Sequence, residues 1–427
     1  MIVELTITTL AHGGSGLGHH DGKAVFVQGA VPGDRVQCRI FQNKKRYARA
    51  ELMAVLEPSA VRQTPPCPYF GDCGGCDWQQ LPYDEQCRWK QQLFADSCER
   101  HGHIDPAQVL PLVPARQTLA YRSRVQFKCH NTPDGFVLGF FRRGSHYVID
   151  IDHCPVIASQ LSALIAPLRQ LFDGSAYASV VPQIDVATGS DDRCRIVVHF
   201  LGAQPDHFHQ WLYERTESWD AAVLVQSGRK SSLCQLHGEA DLVIEVDEPP
   251  VALRYGPGGF AQVHLEQNRA LVDLVIARAD VSATDRVLDL YCGMGNFSLP
   301  LARRAASVVG VEDYPLSIDY AKRNSAAQGF ENTRFFARAV ESFMPQWQEP
   351  VDVIVLDPPR SGAREALDGI LACRPRKIVY VSCDQQTMMR DLKVLGQGYQ
   401  VVSIQAVDMF PQTCHTEAVA VLERRQP

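Results

Sequence analysis

The sequence predicts an α/β protein. Residues 259–427 are expected to form a doubly wound, Rossmann-like parallel sheet, preceded by a small β-barrel over 1–57 and an α/β central region over 58–258. Three observations carry this reading. From Arg286 to Ser298 a short apolar run leads into Gly293 and Gly295 and then into a helical pattern beginning at Phe297. Such a strand, glycine loop and helix put ligand groups at the carboxyl end of a buried strand. Beyond it, helical and apolar strand-like segments alternate until two strands close the chain. Ahead of everything, residues 1–57 break into short strands punctuated by Gly13, Gly14, Gly16, Gly18, Pro32 and Gly33, the pattern of a small barrel.

The barrel strands are expected at 2–8, 23–27, 35–41 and 49–56. Lys44, Lys45, Arg46 and Arg49 gather at one hairpin around Tyr47. They read either as a solvated turn or as the basic, aromatic rim of an RNA-binding barrel. Next, Cys67, Cys73 and Cys76 stand in a Pro/Gly-rich loop with the spacing C-x5-C-x2-C. Three thiols this close suggest a metal site, and a fourth ligand could come from Cys87, Cys98, Cys129 or Cys154. Cys87 and Cys98 fall in a helical pattern over 83–101, whereas Cys154 lies in a polar, proline-flanked loop and is preferred. Four thiolates suit zinc or an iron–sulfur cluster, and spacing alone leaves both open.

Residues 121–149 are strand-like, with Arg122, Arg124, Lys128, Arg142 and Arg143 among aromatic residues. This is either an ordinary sheet with a charged face or a surface for RNA. A helix is expected over 156–172 and strands near 180–187, 193–200 and 221–226. From His264 the alternation becomes regular. Helices are expected at 264–279, 316–328, 364–371 and 386–395, and strands at 287–290, 308–311, 334–336, 351–356, 377–381, 400–407 and 418–422. A closing antiparallel hairpin is typical of the S-adenosylmethionine-dependent methyltransferase fold.

The ligand loop has features of its own. Glu312 ends the second strand, roughly 20 residues past the glycines, where a ribose-binding carboxylate is expected. Position 298 is serine where a dinucleotide site would want a third glycine, and Asp289 opens the loop, unusual for a phosphate cradle. A phosphate-free nucleoside ligand fits better, S-adenosylmethionine foremost. Three further strand-end loops carry reactive groups: Asp357-Pro358-Pro359-Arg360, Ser382-Cys383-Asp384, and His415-Thr416-Glu417. A thiol, carboxylates and a methyl donor on one sheet edge suit methylation of uracil carbon 5. That carbon becomes nucleophilic only once a thiolate has added at carbon 6. Cys383 would be the nucleophile, Glu417 the base that removes the carbon 5 proton, and Asp357 an orienting group.

The residues resemble the RNA uracil-5 methyltransferase family, in particular its iron–sulfur-containing 23S ribosomal RNA branch that carries a TRAM domain. The marks are Asp289-Leu-Tyr-Cys-Gly-Met-Gly-Asn-Phe297, Asp357-Pro-Pro-Arg360, Tyr380-Val-Ser-Cys383-Asp-Gln-Gln-Thr387 and Asp408-Met-Phe-Pro-Gln-Thr-Cys-His-Thr-Glu417. The glycine-rich start, Gly22-Lys-Ala-Val-Phe-Val27 and Pro32-Gly-Asp34 resemble the TRAM domain itself. The resemblance implies that Gln262, Tyr291, Asn296, Glu312 and Asp357 bind S-adenosylmethionine. It also implies that Cys67, Cys73, Cys76 and Cys154 hold a [4Fe–4S] cluster. Three positions depart from the family pattern: Asp384 where asparagine is usual, Gln385 where proline is frequent, and Ala339 where many relatives are polar near the adenine.

The chain of 427 residues is 45% hydrophobic with a net charge of −6, so RNA contact must use local basic patches. Its start lacks the basic and apolar regions of a signal peptide, and no apolar run nears ~20 residues. The 14 cysteines then read as thiols or ligands in a cytoplasmic protein. The expected partner is RNA, 23S ribosomal RNA first and transfer RNA second, with neither DNA nor membrane, and the protein is expected to be a monomer. Competing readings are an exocyclic-amine methyltransferase, which would not need Cys383 or Glu417, and an idle RNA-binding or assembly factor. A dinucleotide oxidoreductase is disfavoured by Ser298.

Overall fold

The computed structural model describes residues 1–228 and 232–425. Strands β1 (Ile2–Leu10), β2 (Gly16–His20), β3 (Lys23–Val27), β4 (Arg35–Asn43) and β5 (Tyr47–Glu57) close into a barrel in the order β1-β2-β3-β5-β4. Alternate residues such as Val3, Leu5, Ile7, Val25, Val27 and Val36 fill it. The expected strands are all present. The additional β2, Gly-Leu-Gly-His-His, is where the sequence shows only turn-like glycines. Those glycines serve close approach: a Cβ on Gly18 would stand 2.5 Å from the Thr6 carbonyl oxygen.

Helix α1 (Tyr83–Ser97) follows the cysteine loop and ends in a π-helical turn over Cys98–Gly102. Strand β6 (Val109–Val113) comes next. The central sheet contains β7 (Arg124–Thr132), β8 (Gly135–Phe141), β9 (Val148–Asp150), β10 (Gln183–Thr188), β11 (Cys194–Phe200), β12 (Ala221–Ser227) and β13 (Leu233–His237), in the order β13-β12-β11-β10-β7-β8-β9. Helices α2 (Ser159–Ser162), α3 (Ile165–Phe172) and α4 (Pro205–Thr216) accompany it. The single helix expected over 156–172 is broken between α2 and α3. Pro167 lacks an N–H and its ring would meet the carbonyl of Ala163, so a continuous helix cannot form there.

A hairpin, β14 (Leu242–Val246) and β15 (Val251–Tyr255), packs with helix α5 (Leu265–Ala279) in the core under the C-terminal sheet. That sheet has β16 (Arg286–Leu290), β17 (Ser307–Glu312), β18 (Thr333–Ala337), β19 (Val353–Leu356), β20 (Lys377–Ser382), β21 (Tyr399–Val407) and β22 (Glu417–Arg424). Helices α6 (Ser298–Ala302), α7 (Pro315–Ala327), α8 (Val340–Phe343), α9 (Leu367–Cys373) and α10 (Gln385–Leu395) connect the strands. The order is β18-β17-β16-β19-β20-β22-β21-β6, parallel from β18 to β20, with β22 antiparallel to both its neighbours. The expected doubly wound sheet and closing hairpin are therefore present. The direction of winding reverses between β16 and β19, the switch point where such sheets bind ligands.

One strand of this sheet comes from far upstream. β6 pairs parallel to β21 at the sheet edge, where Pro111 is tolerated because no further strand needs its missing N–H. Helix α1 lies nearby, sending Phe94 and Cys98 into the core on that face of the sheet. The attachment is completed by charge. Lys90 of α1 donates to Asp408 Oδ1 at 2.6 Å, and neither side chain is exposed to solvent. Tyr83 donates its hydroxyl proton to the other Asp408 oxygen at 3.0 Å. Among the described residues no helix is long and apolar enough to cross a membrane.

Lys90→Met should destabilise the protein by about 3–5 kcal/mol, because Asp408 is left buried and unpaired. Adding Asp408→Asn should recover part of the loss, since asparagine is neutral and still accepts from Tyr83. Urea unfolding of the single and double variants measures both.

Candidate active site

The sheet brings three predicted reactive groups to one edge. β16, β17, β19 and β20 run parallel, so the residues just past their carboxyl ends share that edge. Strand β22 runs the opposite way, pairing Ala418 with Ser382 and Glu417 with Val407, so its first residue rather than its last arrives there. Glu417 thus comes beside the turn that carries Cys383. Asp357 enters the same place from the end of β19, its backbone N–H donating to Leu290 O.

The electrostatics confirm the convergence. Burial pushes the Cys383 thiol up, and the charges of Glu417 and Asp357 add to this; Arg360, which hydrogen-bonds the thiol, works the other way. Glu417 is 4% exposed. Burial and then the charge of Asp357 push its carboxyl up to about 8, again opposed by Arg360. Burial raises Asp357 to about 7. A thiol, two carboxyl groups and one guanidinium therefore form a single interacting set.

Two departures from the family pattern find a local explanation. Asp384 caps α10, its carboxylate accepting from Thr387 N at 2.9 Å, a role asparagine fills equally well. Gln385 donates from Nε2 to Thr416 Oγ1 at 2.8 Å, tying the Cys383 turn to the residue before Glu417. Ala339 precedes α8 and offers no polar side chain.

The glycine loop after β16 is built for close approach. Gly293 and Gly295 have φ of +55° and +97°, and a Cβ at Gly293 would meet nothing within 4 Å. Tyr291 is held at φ +63° and donates its hydroxyl proton to Glu341 at 2.9 Å. Glu312 accepts from Gly293 N and Tyr314 N. Asn296 exchanges two amide hydrogen bonds with Asn268 of α5, at 2.9 and 3.0 Å. Gln262 is buried just ahead of that helix. Ser298 explains its own presence: its hydroxyl donates to Asp289, whose other oxygen is buried with no hydrogen-bond partner. Burial pushes Asp289 to about 7 and Glu312 to about 7, the latter helped by Asp313. Asp289 and Glu312, with Asp357 at the neighbouring strand end raised likewise to about 7, suit a ligand that carries positive charge.

The cysteines form a second site. Cys67, Cys73, Cys76 and Cys154 line one small cavity with Phe70, Gln79, Arg122 and Phe140. Burial raises all four thiols, to about 12 for Cys76. Backbone N–H groups of Tyr69, Phe70, Gly75, Val156 and Ile157 oppose that rise, and so does the charge of Arg122. Donors aimed at sulfur favour thiolates, the form that binds metal. Cys87, Cys98 and Cys129 are not among the residues lining the cavity.

Of the basic residues expected on the central sheet face, Arg122 turns inward to this cavity and Arg143 donates to Cys76 O and pairs with Asp77. An open groove remains beside them, lined by Lys128, Phe140, Phe141, Arg142, Arg143 and His146. The barrel hairpin keeps Lys44, Lys45 and Arg46 exposed. Arg360, Asn268 and the pairing of Ser298 with Asp289 went unassigned in the sequence reading. Arg360 had a signal, as the fourth residue of a recognised motif, whereas Asn268 had none.

Comparison with known proteins gives a consistent answer. The sequence model of the tRNA (Uracil-5-)-methyltransferase family matches residues 109–425, and that of the TRAM domain matches residues 2–53. The chain is 35% identical to proteins named 23S rRNA (uracil(1939)-C(5))-methyltransferase from Alkalilimnicola ehrlichii and Shewanella woodyi. Each alignment covers 99% of this chain and 96% of the relative. A solved tRNA (uracil-54, C5)-methyltransferase of Pyrococcus abyssi, crystallised with S-adenosyl-L-homocysteine, superimposes with a TM-score of 0.78. That match covers 98% of this chain and 100% of the other at 23% identity, and so speaks for the fold. With its TRAM barrel and the strand-end convergence of Cys383, Asp357 and Glu417, this chain is an RNA-modifying enzyme that belongs to the uracil-5-methyltransferase family.

Proposed function

We propose that this protein methylates carbon 5 of a uridine in 23S ribosomal RNA, in the cytoplasm, with S-adenosylmethionine as donor. The carrying observation is the set formed by Cys383, Glu417, Asp357 and Arg360 at one sheet edge. The ribosomal assignment draws on the names of full-length relatives. The competing amine-methyltransferase reading gives no role to a buried thiol and carboxyl pair.

The Cys383 thiolate, favoured by Arg360, adds to uracil carbon 6, and the carbon 5–carbon 6 π electrons move toward carbon 5 and O4. S-adenosylmethionine, when bound, would supply the methyl group as a cationic electrophile, its carbon–sulfur bond breaking to leave neutral S-adenosylhomocysteine. Gln262, Tyr291, Asn296, Glu312 and Asp357 would hold it, and the near-neutral carboxyl groups of the loop suit its positive charge. Glu417 then takes the carbon 5 proton. The electron pair left behind restores the double bond and expels the thiolate. Asp357, close enough to raise Glu417, keeps the base strong and orients it. The base must first be turned out of its RNA stack, and the exposed basic hairpin and the groove of the central sheet are the surfaces for holding that RNA.

Cys67, Cys73, Cys76 and Cys154 would hold a [4Fe–4S] cluster.

Three outcomes follow. Cys383→Ala should abolish methylation and any covalent RNA adduct, whereas Glu417→Ala should trap a methylated protein–RNA adduct on a denaturing gel; normal turnover by Glu417→Ala defeats the base assignment. In wild-type single-turnover experiments, release of methylated RNA should speed up as pH rises through about 8, because Glu417 accepts a proton only when ionised. A rate that stays flat between about pH 6 and about pH 9 removes Glu417 as the limiting base. Protein purified without oxygen should hold about four irons per chain and lose them in Cys154→Ser but not in Cys98→Ser; stoichiometric zinc contradicts the cluster.

A further inference from the structure

The nine residues from Asp408 to Thr416 join β21 to β22 and deliver Glu417, yet they form no regular structure. Pro411, Gln412 and Thr413 are nevertheless buried. A buried irregular segment must find partners for its backbone groups. Here those partners come from residues some 300 positions earlier. Gln412 O accepts from Asp77 N at 2.9 Å and Trp78 N at 3.0 Å. Gln412 N donates to Gln86 Oε1, and the Gln86 amide donates back to Gln412 Oε1, each at 2.9 Å. Cys414 N donates to Asp77 Oδ2 at 3.3 Å, and Tyr121 donates its hydroxyl proton to Pro411 O at 2.9 Å. Gln412 is held at φ +69°, a left-handed backbone that a non-glycine residue keeps only when its surroundings over-determine it.

Asp77 and Trp78 directly follow Cys76 on the metal-site turn. Arg143 grips that turn through Cys76 O and the Asp77 carboxylate. Gln79 crosses the same turn, accepting from Cys67 N. Trp78 is fully buried and donates to Gly14 O of the barrel. Three parts of the molecule, the barrel, the cysteine turn and the base loop, therefore meet at Asp77–Trp78. Strand pairing places the backbone of Glu417, and this loop is the segment that leads directly into it.

We infer that Asp77 is a positioning residue for the catalytic base: the cysteine turn, shaped by its metal centre, holds the 411–414 segment in the conformation that delivers Glu417. This rests on the assignments of Glu417 as base and of the four cysteines as metal ligands. The centre then has a place in catalysis without touching substrate. Loss of the metal would free the turn, the loop would lose its partners, and proton removal would fail before addition of Cys383 does.

The test uses full-length protein purified without oxygen, with iron counted. Asp77→Ala carrying wild-type iron should turn over on the order of 10- to 100-fold more slowly, as a misplaced catalytic group does. Its KM for S-adenosylmethionine should be unchanged, and the methylated protein–RNA adduct should accumulate. Asp77→Asn, which keeps an acceptor for Cys414 N, should restore release. Wild-type turnover without adduct in Asp77→Ala overturns the inference. So does loss of turnover with no adduct, which marks a merely structural role. If Asp77→Ala loses its iron, Gln86→Ala, on α1 and outside the cysteine cavity, carries the same test with the same outcomes. Stripping iron from the wild type should raise hydrogen exchange across 408–416 while leaving β20 protected, and unchanged exchange overturns the link to the metal. A protein that purifies without metal defeats both the cluster reading and the metal's part in this inference, and Asp77→Ala then tests the brace from the turn alone.

Discussion

A lysine and an aspartate with no solvent exposure join the front of this chain to its end. Lys90 and Asp408 lie more than 300 residues apart, and their contact fixes α1 against the loop that precedes Glu417. A buried ion pair gains little over apolar packing, because both charges are stripped of water. What it supplies is uniqueness. Each partner is intolerable alone, so only one docking of α1 satisfies both, and Tyr83, Phe410 O and Phe410 N complete their hydrogen bonds. With α1 in place, β6 reaches the edge of the catalytic sheet and the cysteine turn reaches the base loop.

The catalytic edge carries the opposite electrostatic problem. Asp289, Glu312, Asp357 and Glu417 are gathered there, and burial holds each carboxyl near neutrality or above. Arg360 is the cation that acts on both Cys383 and Glu417. Such crowding disfavours an empty, fully ionised pocket and favours a positively charged donor. It also leaves Glu417 a stronger base than a solvent-exposed carboxylate. The same burial that raises the carboxyl groups raises the thiol, which is why a guanidinium beside Cys383 matters.

The cysteine cavity follows the same rules: burial raises its thiols, and backbone donors and Arg122 work against that rise. Arg122 and Arg143 look in the sequence like members of an RNA-facing row. In the fold they serve this turn, because the strand and loop that carry them pass directly beside it. The open groove of the central sheet keeps Lys128 and Arg142, with Arg143 shared between the two.

Local chemistry made much of this protein legible from sequence. Apolar runs with a glycine loop give buried parallel strands, since a strand covered on both faces has no polar side to show. The barrel strands follow from alternation, and Cys383, Asp357 and Glu417 follow from motifs that sit at strand ends. Local signals also mislead where the decisive partner is distant. Val-Leu-Pro-Leu-Val at β6 is too short to declare itself, and it becomes a strand only because β21 offers an edge. Gln412 and Asp77 carry no pattern, for their contact depends on two turns brought together by the docking of α1. Asn268 matters only because α5 lies across the ligand loop. The sequence by itself determined most of the elements and the candidate reactive groups at their ends, which depend on spacing along the chain. The tertiary structure decided which buried polar groups meet, because hydrogen bonds and ion pairs act over a few ångströms irrespective of separation in sequence.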